Sequence, residues 1–169
     1  MKQPSQRQVD RIRQRQSTEA QNLFTRLPAA YAASRAQSQR FLQHAGGLSV
    51  VEWRTLWDLN EAGPMSIRDL CEIQRIDHSL LSRALPEMKR KGLVDMRRDA
   101  EDGRQMIVET TAAGRAAYQK AAPVMKKRRE ALRTEFSADD IKTFIALLDR
   151  FDAFLRAPVE DILTEDLIE

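Results

Sequence analysis

Apolar side chains recur at helical spacing along most of the chain, in stretches that begin and end at recognisable capping residues. In one such stretch, Trp53, Leu56 and Trp57 occupy positions i, i+3 and i+4, which places them on one face of a helix. Ser49 and Glu52 precede this face with the spacing of a capping box, in which each side chain binds a backbone amide of the other residue. The pattern predicts a helix that begins directly after Ser49.

Two further helices follow, separated by a short turn. Ser66 and Asp69 repeat the capping-box spacing at the start of the first of them. Asp77 is placed to cap the second helix, which is expected to run to Lys91 and to stop at Gly92.

A β-hairpin is predicted after these helices. Val94 and Met96 alternate with polar neighbours, Met106 and Val108 do the same, and an Asp-Gly turn dipeptide lies between the two segments. A helix, a short helix, a turn, another helix and a hairpin thus succeed one another over residues 49–111. This order predicts a winged helix-turn-helix lobe within a mainly α fold whose small β-hairpin forms the wing.

Helices are also predicted on both sides of the lobe, over residues 17–48 and 112–158. The first is expected to begin at Thr18, with Gln21 in the capping-box position. Pro28 is expected to kink or interrupt it, because proline lacks the amide donor that a helix interior needs.

The two ends of the chain lack a clear apolar stripe. Residues 1–16 are polar and basic and are predicted to form a disordered or loosely helical arm. Residues 159–169 form an acidic tail that is expected to be mobile. Within residues 112–158, two helices are predicted, one capped by Thr111 and the other by Ser137.

Charge is unevenly distributed, although 28 Lys and Arg against 25 Asp and Glu leave a net charge of only +3. Residues 1–40 carry eight basic and two acidic side chains, and residues 115–129 carry six basic and no acidic ones. Residues 130–169 carry four basic and eleven acidic side chains. Basic segments attract polyanions, but solvated helix faces have the same composition, so charge alone does not assign a partner.

Composition excludes several classes of protein and site. The single cysteine, Cys71, excludes an internal disulfide, and its place on an apolar stripe favours a small buried hydrophobe over a redox switch. The two histidines lie far apart, so neither a metal site nor a cofactor is predicted. The sequence has no nucleophile elbow, P-loop or glycine-rich dinucleotide motif, and an enzyme is not expected. It has neither a signal-like segment nor an apolar run of about 20 residues, which predicts a soluble cytoplasmic protein.

The helix after Asp77 has an outer face suited to a DNA major groove. Ser79, Ser82 and Arg83 lie on this face, and Leu80 is expected to be exposed at its margin. Arginine can donate two hydrogen bonds to guanine, serine can reach a phosphate or a base edge, and leucine can touch a thymine methyl group. Pro86 is expected to bend the helix. An amphipathic helix that simply faces water has a similar pattern.

The hairpin strengthens the case for DNA. Arg97, Arg98 and Arg104 flank its tip, and an arginine at such a tip can enter a narrow minor groove. Asp102 is expected to hold the Arg104 side chain by a charge-assisted hydrogen bond. The plainer alternative is a polar turn with a weak surface ion pair.

The helix-turn-helix and hairpin contain a set of short sequence motifs at characteristic positions. They are Trp53-Arg54, Gly63-Pro64, Ser66 with Leu70, Asp77, Ser79, Ser82-Arg83, Gly92-Leu93-Val94, Asp102-x-Arg104 and Thr111-x-x-Gly114. With these motifs, the chain resembles the MarR family of bacterial winged helix-turn-helix transcription regulators. The flanking helices also fit that family's architecture.

The resemblance implies a homodimer that binds a palindromic operator. The first and last helices of two subunits, from residues 17–48 and 112–158, would interlock as a dimerisation region above two DNA-binding lobes. The implied groove contacts are Ser79, Leu80, Ser82 and Arg83, with Ser66 and Arg68 near phosphates and Asp102 and Arg104 as the wing pair.

The family also often binds small aromatic acids near the junction of its two regions. By this resemblance, a ligand pocket is expected among Phe24, Tyr31, Trp53, Arg54 and Trp57, with the arginine facing a carboxylate. Core packing is the alternative explanation for these residues, and for the tryptophans it is preferred.

The function expected from the sequence is that of a sequence-specific, ligand-responsive transcriptional repressor. One alternative remains open, a winged-helix module that binds another protein and has no specific DNA target. Such modules often lose the basic residues of the reading helix and wing, whereas this chain keeps Arg83, Arg97, Arg98 and Arg104.

Overall fold

A computed structural model describes residues 5–100 and 102–163. The elements in chain order are α1 Gln6–Ala20, α2 Leu23–His44, α3 Val50–Ala62, β1 Met65–Ser66, α4 Ile67–Gln74, α5 His78–Arg90, β2 Val94–Arg98, β3 Met106–Thr110, α6 Ala112–Glu135, α7 Ala138–Leu155 and α8 Val159–Ile162. The chain divides into two compact units, Met1–Met125 and Lys126–Glu169, with the boundary inside α6.

The helix starts follow the predicted caps. Capping boxes are formed by Ser49 with Glu52 at α3, by Ser66 with Asp69 at α4 and by Ser137 with Asp140 at α7. Asp77 accepts a hydrogen bond of 2.6 Å from the backbone N–H of Ser79 and so caps α5. After α5 the chain turns at Gly92, whose φ of +68° favours glycine over any residue with a side chain.

The N-terminal region differs from its prediction in two respects. Where residues 1–16 were expected to be disordered or loosely helical, α1 begins at Gln6, because Gln and Arg favour helices and Arg15 pairs with Glu19 one turn on. Every residue of α1 is still at least partly exposed. Residues 1–4 lie outside the described residues.

The second difference concerns the helix expected to begin at Thr18. Thr18 belongs to α1, and its hydroxyl donates to the carbonyl of Gln14. Asn22 caps α2 instead, accepting a 3.0 Å hydrogen bond from the N–H of Phe24. Pro28 does not interrupt α2, which runs on to His44.

The sheet has three antiparallel strands in the order β1-β3-β2. The predicted hairpin is confirmed, with Val94 opposite Thr110 and Arg98 opposite Met106. Strand β1, which pairs Met65 with Val108, was not predicted because two residues show no periodicity. It connects the wing to the start of α4.

The core of the first unit lies beneath α5. Leu81, Leu85 and Met88 form its inner face and are fully buried, and Ala84 beside them is half-buried. They belong to one apolar cluster with residues of α3, α4 and the sheet, such as Leu56. Pro86 is exposed inside α5, which continues as a helix on both sides of it.

In the second unit, the helices leave much apolar surface exposed. Every residue of α7 is at least partly exposed, and Phe144 and Ile145 are 61% and 52% exposed. In the acidic tail, whose mobility stays a prediction, Val159–Ile162 form α8 after Pro158, which fixes the entry to the helix. Residues 164–169 lie outside the described residues. Among the described helices, none has the length and apolar character that crossing a bilayer requires.

Candidate nucleic-acid interface

The predicted groove-facing residues of α5 lie together on its first two turns. Ser79, Leu80 and Arg83 are exposed and Ser82 is half-buried. Leu80 keeps 45% of its surface exposed, as expected for a residue at the margin of the apolar stripe. The outer face of α5 thus presents a guanidinium group, hydroxyl groups and one large apolar side chain next to each other.

Arg83 is held against its own helix. Its Nε donates to the backbone oxygen of Ser79 at 2.9 Å, and its Nη2 donates to Ser79 Oγ at 3.2 Å. The hydroxyl of Ser82 donates to the same backbone oxygen at 3.2 Å. Three of the predicted contact residues therefore form one hydrogen-bonded group.

The two residues predicted for α4 differ in their exposure. Arg68 is exposed in the first turn. Ser66 is only 4% exposed, and its hydroxyl donates to Asp69 Oδ2 at 2.7 Å while accepting from the Asp69 N–H. The hydroxyl is engaged in the predicted capping box, and its role near a phosphate stays a prediction.

The tip of the wing is folded by its own polar groups. Asp102 Oδ1 accepts from the backbone N–H of Arg104 at 3.1 Å, and Oδ2 accepts from Gln105 Nε2 at 3.0 Å. The N–H of Asp102 in turn donates to Asp99 Oδ1. Asp102 therefore shapes the turn that carries Arg104, whereas its expected hydrogen bond was to the Arg104 side chain.

The wing also carries three exposed arginines. Arg98 Nη1 donates to the carbonyl of Gly103 at 3.1 Å, a contact that closes the hairpin tip. Arg97 and Arg104 are exposed, on β2 and at the tip. Since neighbouring residues of a strand point to opposite faces, Arg97 and Arg98 present their charges on different sides of the hairpin.

An ion pair between a buried carboxylate and a half-exposed lysine joins the C-terminal end of α5 to α3. Lys91 Nζ lies 2.7 Å from Glu52 Oε1, and the Glu52 side chain is only 6% exposed. Burial alone would raise the pKa of Glu52, but hydrogen bonds from Lys91 and Ser49 outweigh it and leave that pKa below its ordinary value. The pair was not predicted, because 39 positions separate its members and no local pattern connects them.

A second polar cluster joins α3 to the end of α4. Arg54 Nη2 donates to the carbonyl of Gln74 at 3.1 Å, and Gln74 Nε2 lies 3.4 Å from Thr55 Oγ1. Burial raises the pKa of the neighbouring Asp58, although the hydrogen bond from Gln74 and the charge of Arg54 act to lower it. Arg54 therefore braces the turn that leads into α5.

The aromatic residues predicted for a ligand pocket fall into two groups. Trp53 is 3% exposed and stacks on Tyr118 of α6, with ring centroids 5.3 Å apart, so its role is core packing. Phe24 and Tyr31 on α2 are exposed by 60% and 63%, and Trp57 is 36% exposed. Tyr118 also donates to Glu61 at 3.1 Å, a contact that local sequence patterns did not reveal.

Cys71 is half-buried and packs against the apolar cluster, as its place on the stripe predicted. Burial and the charge of Asp77 raise the pKa of its thiol. The thiol is thus held in its less reactive protonated form.

Comparison with known proteins agrees with this geometry. A sequence profile of the MarR family matches residues 46–105. The homoprotocatechuate degradative operon repressor of Escherichia coli is 28% identical over 115 residues, which are 68% of this chain and 78% of that protein. The winged helix-turn-helix lobe of this chain is therefore similar to those of MarR-family regulators.

Two solved structures share this MarR-family fold. The M. tuberculosis regulator MOSR, solved in complex with DNA, superposes with a TM-score of 0.65 at 27% identity, over 80% of this chain and 98% of its own. BpsR of Bordetella bronchiseptica superposes with a TM-score of 0.70 at 19% identity, over 82% and 96% of the two chains. The family and these relatives are transcriptional regulators and not enzymes.

The stretch matched to the MarR family contains every residue predicted to face DNA, from Ser66 to Arg104. It begins in the loop before α3 and ends at the tip of the wing. The helices outside it carry most of the large exposed apolar residues of the described chain.

Proposed function

We propose that this chain acts as a MarR-type homodimeric repressor that binds a palindromic DNA operator through α5 and the wing. The observation that carries the proposal is the outer face of α5, where Arg83, Ser82 and Leu80 stand on a helix whose inner face is fully packed. Phosphate contacts from Arg68, Arg97 and Arg104 would add affinity that falls with salt. Such a regulator acts on chromosomal DNA, in the cytoplasm.

The exposed apolar residues of the outer helices support a dimer. Leu23 and Phe24 on α2 and Phe144, Ile145 and Phe154 on α7 are each about half exposed or more in the single chain. Burial of this surface against a second copy would stabilise the pair, since each buried CH₂ group contributes about 0.8 kcal/mol. A two-fold dimer presents two copies of α5 to half-sites about 34–36 Å apart.

Selection of bound sequences from a random duplex library, with the full chain near physiological salt, tests the proposal. The expected result is a palindrome whose half-sites are separated by about one helical turn. Binding without enrichment of any sequence, equally weakened by salt on every duplex, would contradict it. A winged-helix module that binds protein would then be the better explanation of the fold.

We further propose that a small aromatic acid modulates this binding. DNA binding by BpsR is regulated by 6-hydroxynicotinic acid. In the present chain, Trp57 on α3 is partly exposed and Arg54 lies three residues before it. A ligand that binds one spacing of the two reading helices better than another would shift the dimer away from its DNA-binding form.

Calorimetric titration with salicylate-like acids tests the ligand proposal. Saturable heat is expected with the wild-type protein and loss of that heat with Arg54→Ala. Titrations without saturable heat in both proteins would remove the support for a carboxylate site at Arg54.

A further inference from the structure

The contact between Arg83 and Ser79 leaves only one edge of the guanidinium group open. A guanidinium has two forked edges, one formed by Nε and Nη2 and the other by Nη1 and Nη2. The first is occupied, since Nε donates to the Ser79 carbonyl and Nη2 donates to Ser79 Oγ. The remaining pair of N–H groups, at the far end of the side chain, is directed away from these contacts.

Ser79 is itself fixed by the cap of α5. Its backbone N–H donates to Asp77 Oδ1 at 2.6 Å, and its hydroxyl accepts from Arg83 Nη2 at 3.2 Å. Hydrogen bonds with Ser79 hold the pKa of Asp77 below its usual range. A relay of contacts therefore runs from the helix cap through Ser79 to Arg83.

We propose that Ser79 is a positioning residue that acts on DNA through Arg83, and that Arg83 reads a guanine with its Nη1 and Nη2 atoms. This proposal rests on the proposed function, namely that α5 enters a major groove. It assigns different tasks to two residues that sequence patterns alone treat alike.

Guanine is the base that suits the open edge. In the major groove it offers two acceptors side by side, N7 and O6, which match two parallel N–H donors. Adenine offers one acceptor and one donor in the same place, and its amino group opposes the second N–H of the arginine. The relay raises this selectivity because it fixes the guanidinium before DNA arrives and lowers the entropy lost on binding.

The test compares single variants of the full chain in selection from a random duplex library. Wild-type protein is expected to prefer guanine at one position of each half-site, by roughly 5- to 150-fold over other bases. Arg83→Ala should abolish that preference, and Ser79→Ala should lower it about threefold or more at the same position. Ser79→Thr, which keeps the hydroxyl, should restore it.

Two controls separate positioning from loss of structure. Glu87→Gln weakens an exposed ion pair with Arg90 further along α5 and touches neither Ser79 nor the Arg83 guanidinium, so the guanine preference should persist. Replacing that guanine by 7-deazaguanine removes one acceptor, and should weaken binding of the wild type but not of Arg83→Ala. Far-UV circular dichroism checks that each variant remains folded.

Three results would overturn the proposal. An unchanged guanine preference in Ser79→Ala would show that Arg83 needs no positioning. Tighter DNA binding by Ser79→Ala would show that Ser79 withholds Arg83 from DNA. Loss of preference at a different base would show that Ser79 reads DNA directly. If the wild type itself enriches no motif, the proposed function fails together with this inference, whereas the other three results leave it intact.

Discussion

Glu52 combines two tasks in one carboxylate. One of its oxygens accepts the N–H of Ser49 at 2.7 Å and completes the cap of α3, while the other pairs with Lys91 at the end of α5. A buried carboxylate is costly unless it is paired and hydrogen-bonded, and here both conditions hold. The pair therefore sets where α5 ends relative to α3, and with it the position of the reading face.

Removal of Lys91 should destabilise the fold more than removal of its neighbour Lys89. Lys91→Ala leaves the Glu52 carboxylate buried without its cation, and is expected to cost about 1–2 kcal/mol, a moderate value because the lysine head is half exposed. Lys89→Ala breaks exposed contacts with Asp95 and with the Met96 carbonyl and should change stability much less. Urea denaturation at pH 7 measures both, and equal effects of the two variants would contradict the assignment.

The difference between these variants should depend on pH. The folded-state pKa of Glu52 lies below its ordinary value of 4.5, so the pair stabilises the protein fully above about pH 4.5. That stability is lost as the pH falls through the lowered pKa, because the carboxylate becomes neutral. Repeating the denaturations at successively lower pH should bring the free energy of unfolding of Lys91→Ala closer to that of the wild type. A difference in free energy that stays constant with pH would exclude Glu52 as the partner of Lys91 that stabilises the fold.

Arg83 and Arg104 should affect DNA binding in different ways. Arg83→Ala should reduce discrimination between the selected operator and random DNA, by about 1–3 kcal/mol. Arg104→Ala should weaken binding to both duplexes by a similar factor, since a wing arginine meets the backbone or a groove with little sequence information. Fluorescence anisotropy with the two duplexes measures both ratios. Small and equal losses in both variants would contradict these roles.

At the scale of elements, the start of α6 is packed tightly against the turn between α5 and the wing. Thr111 Oγ1 accepts from the Gly114 N–H at 3.0 Å and donates to the Gly92 carbonyl at 2.5 Å. A Cβ on Gly114 would lie 1.9 Å from the carbonyl oxygen of Leu93. Glycine at this position is therefore a packing requirement that links the first turn of α6 to the wing.

Gly114→Ala and Gly103→Ala form a matched pair that tests this packing. The first should destabilise the protein by about 3 kcal/mol, because backbone must move to admit the methyl group. The second should stay within about 0.5 kcal/mol, because nothing lies within 4 Å of the added carbon at the wing tip. Thermal unfolding measures the difference. A Gly114→Ala protein as stable as the wild type would show that α6 is not packed this closely.

The sequence predicts most elements because local capping and turn residues determine their boundaries. The capping pairs of α3, α4 and α7, the Asp77 cap and the Asp-Gly hairpin all combine a specific residue with a fixed spacing. Strand β1 and the Glu52–Lys91 pair escape prediction because they depend on contacts between distant segments. Helix α1 was underestimated because it buries little apolar surface. Ser66 caps α4 as predicted, and its place near a phosphate stays a prediction.

For the molecule as a whole, the large apolar side chains that α7 and α8 expose to water call for a second surface that would bury them. Phe144, Ile145 and Leu147 on α7 each expose more than half of their surface, and Val159 and Ile162 on α8 are similarly exposed. Monomeric proteins rarely leave contiguous apolar patches of this kind in water. We therefore attribute them to the proposed dimer.

Phe144→Arg should break this dimer, because it places a charge in surface that the second copy would bury. Sedimentation equilibrium should give about twice 19.4 kDa for the wild type and a mass near 19.4 kDa for the variant. The variant should retain its helical circular dichroism and bind a single half-site with reduced affinity. A wild-type protein that sediments as a monomer at every concentration would contradict the dimer.

Under the proposed function, two copies of the chain read two half-sites of one duplex through α5. Titration of a labelled duplex that carries the selected palindrome, followed by sedimentation velocity, measures the number of protomers bound. We expect two protomers per duplex, and binding at least about 10³-fold tighter than to a scrambled duplex at the same salt concentration. Equal affinity for both duplexes, or saturation at one protomer, would contradict it.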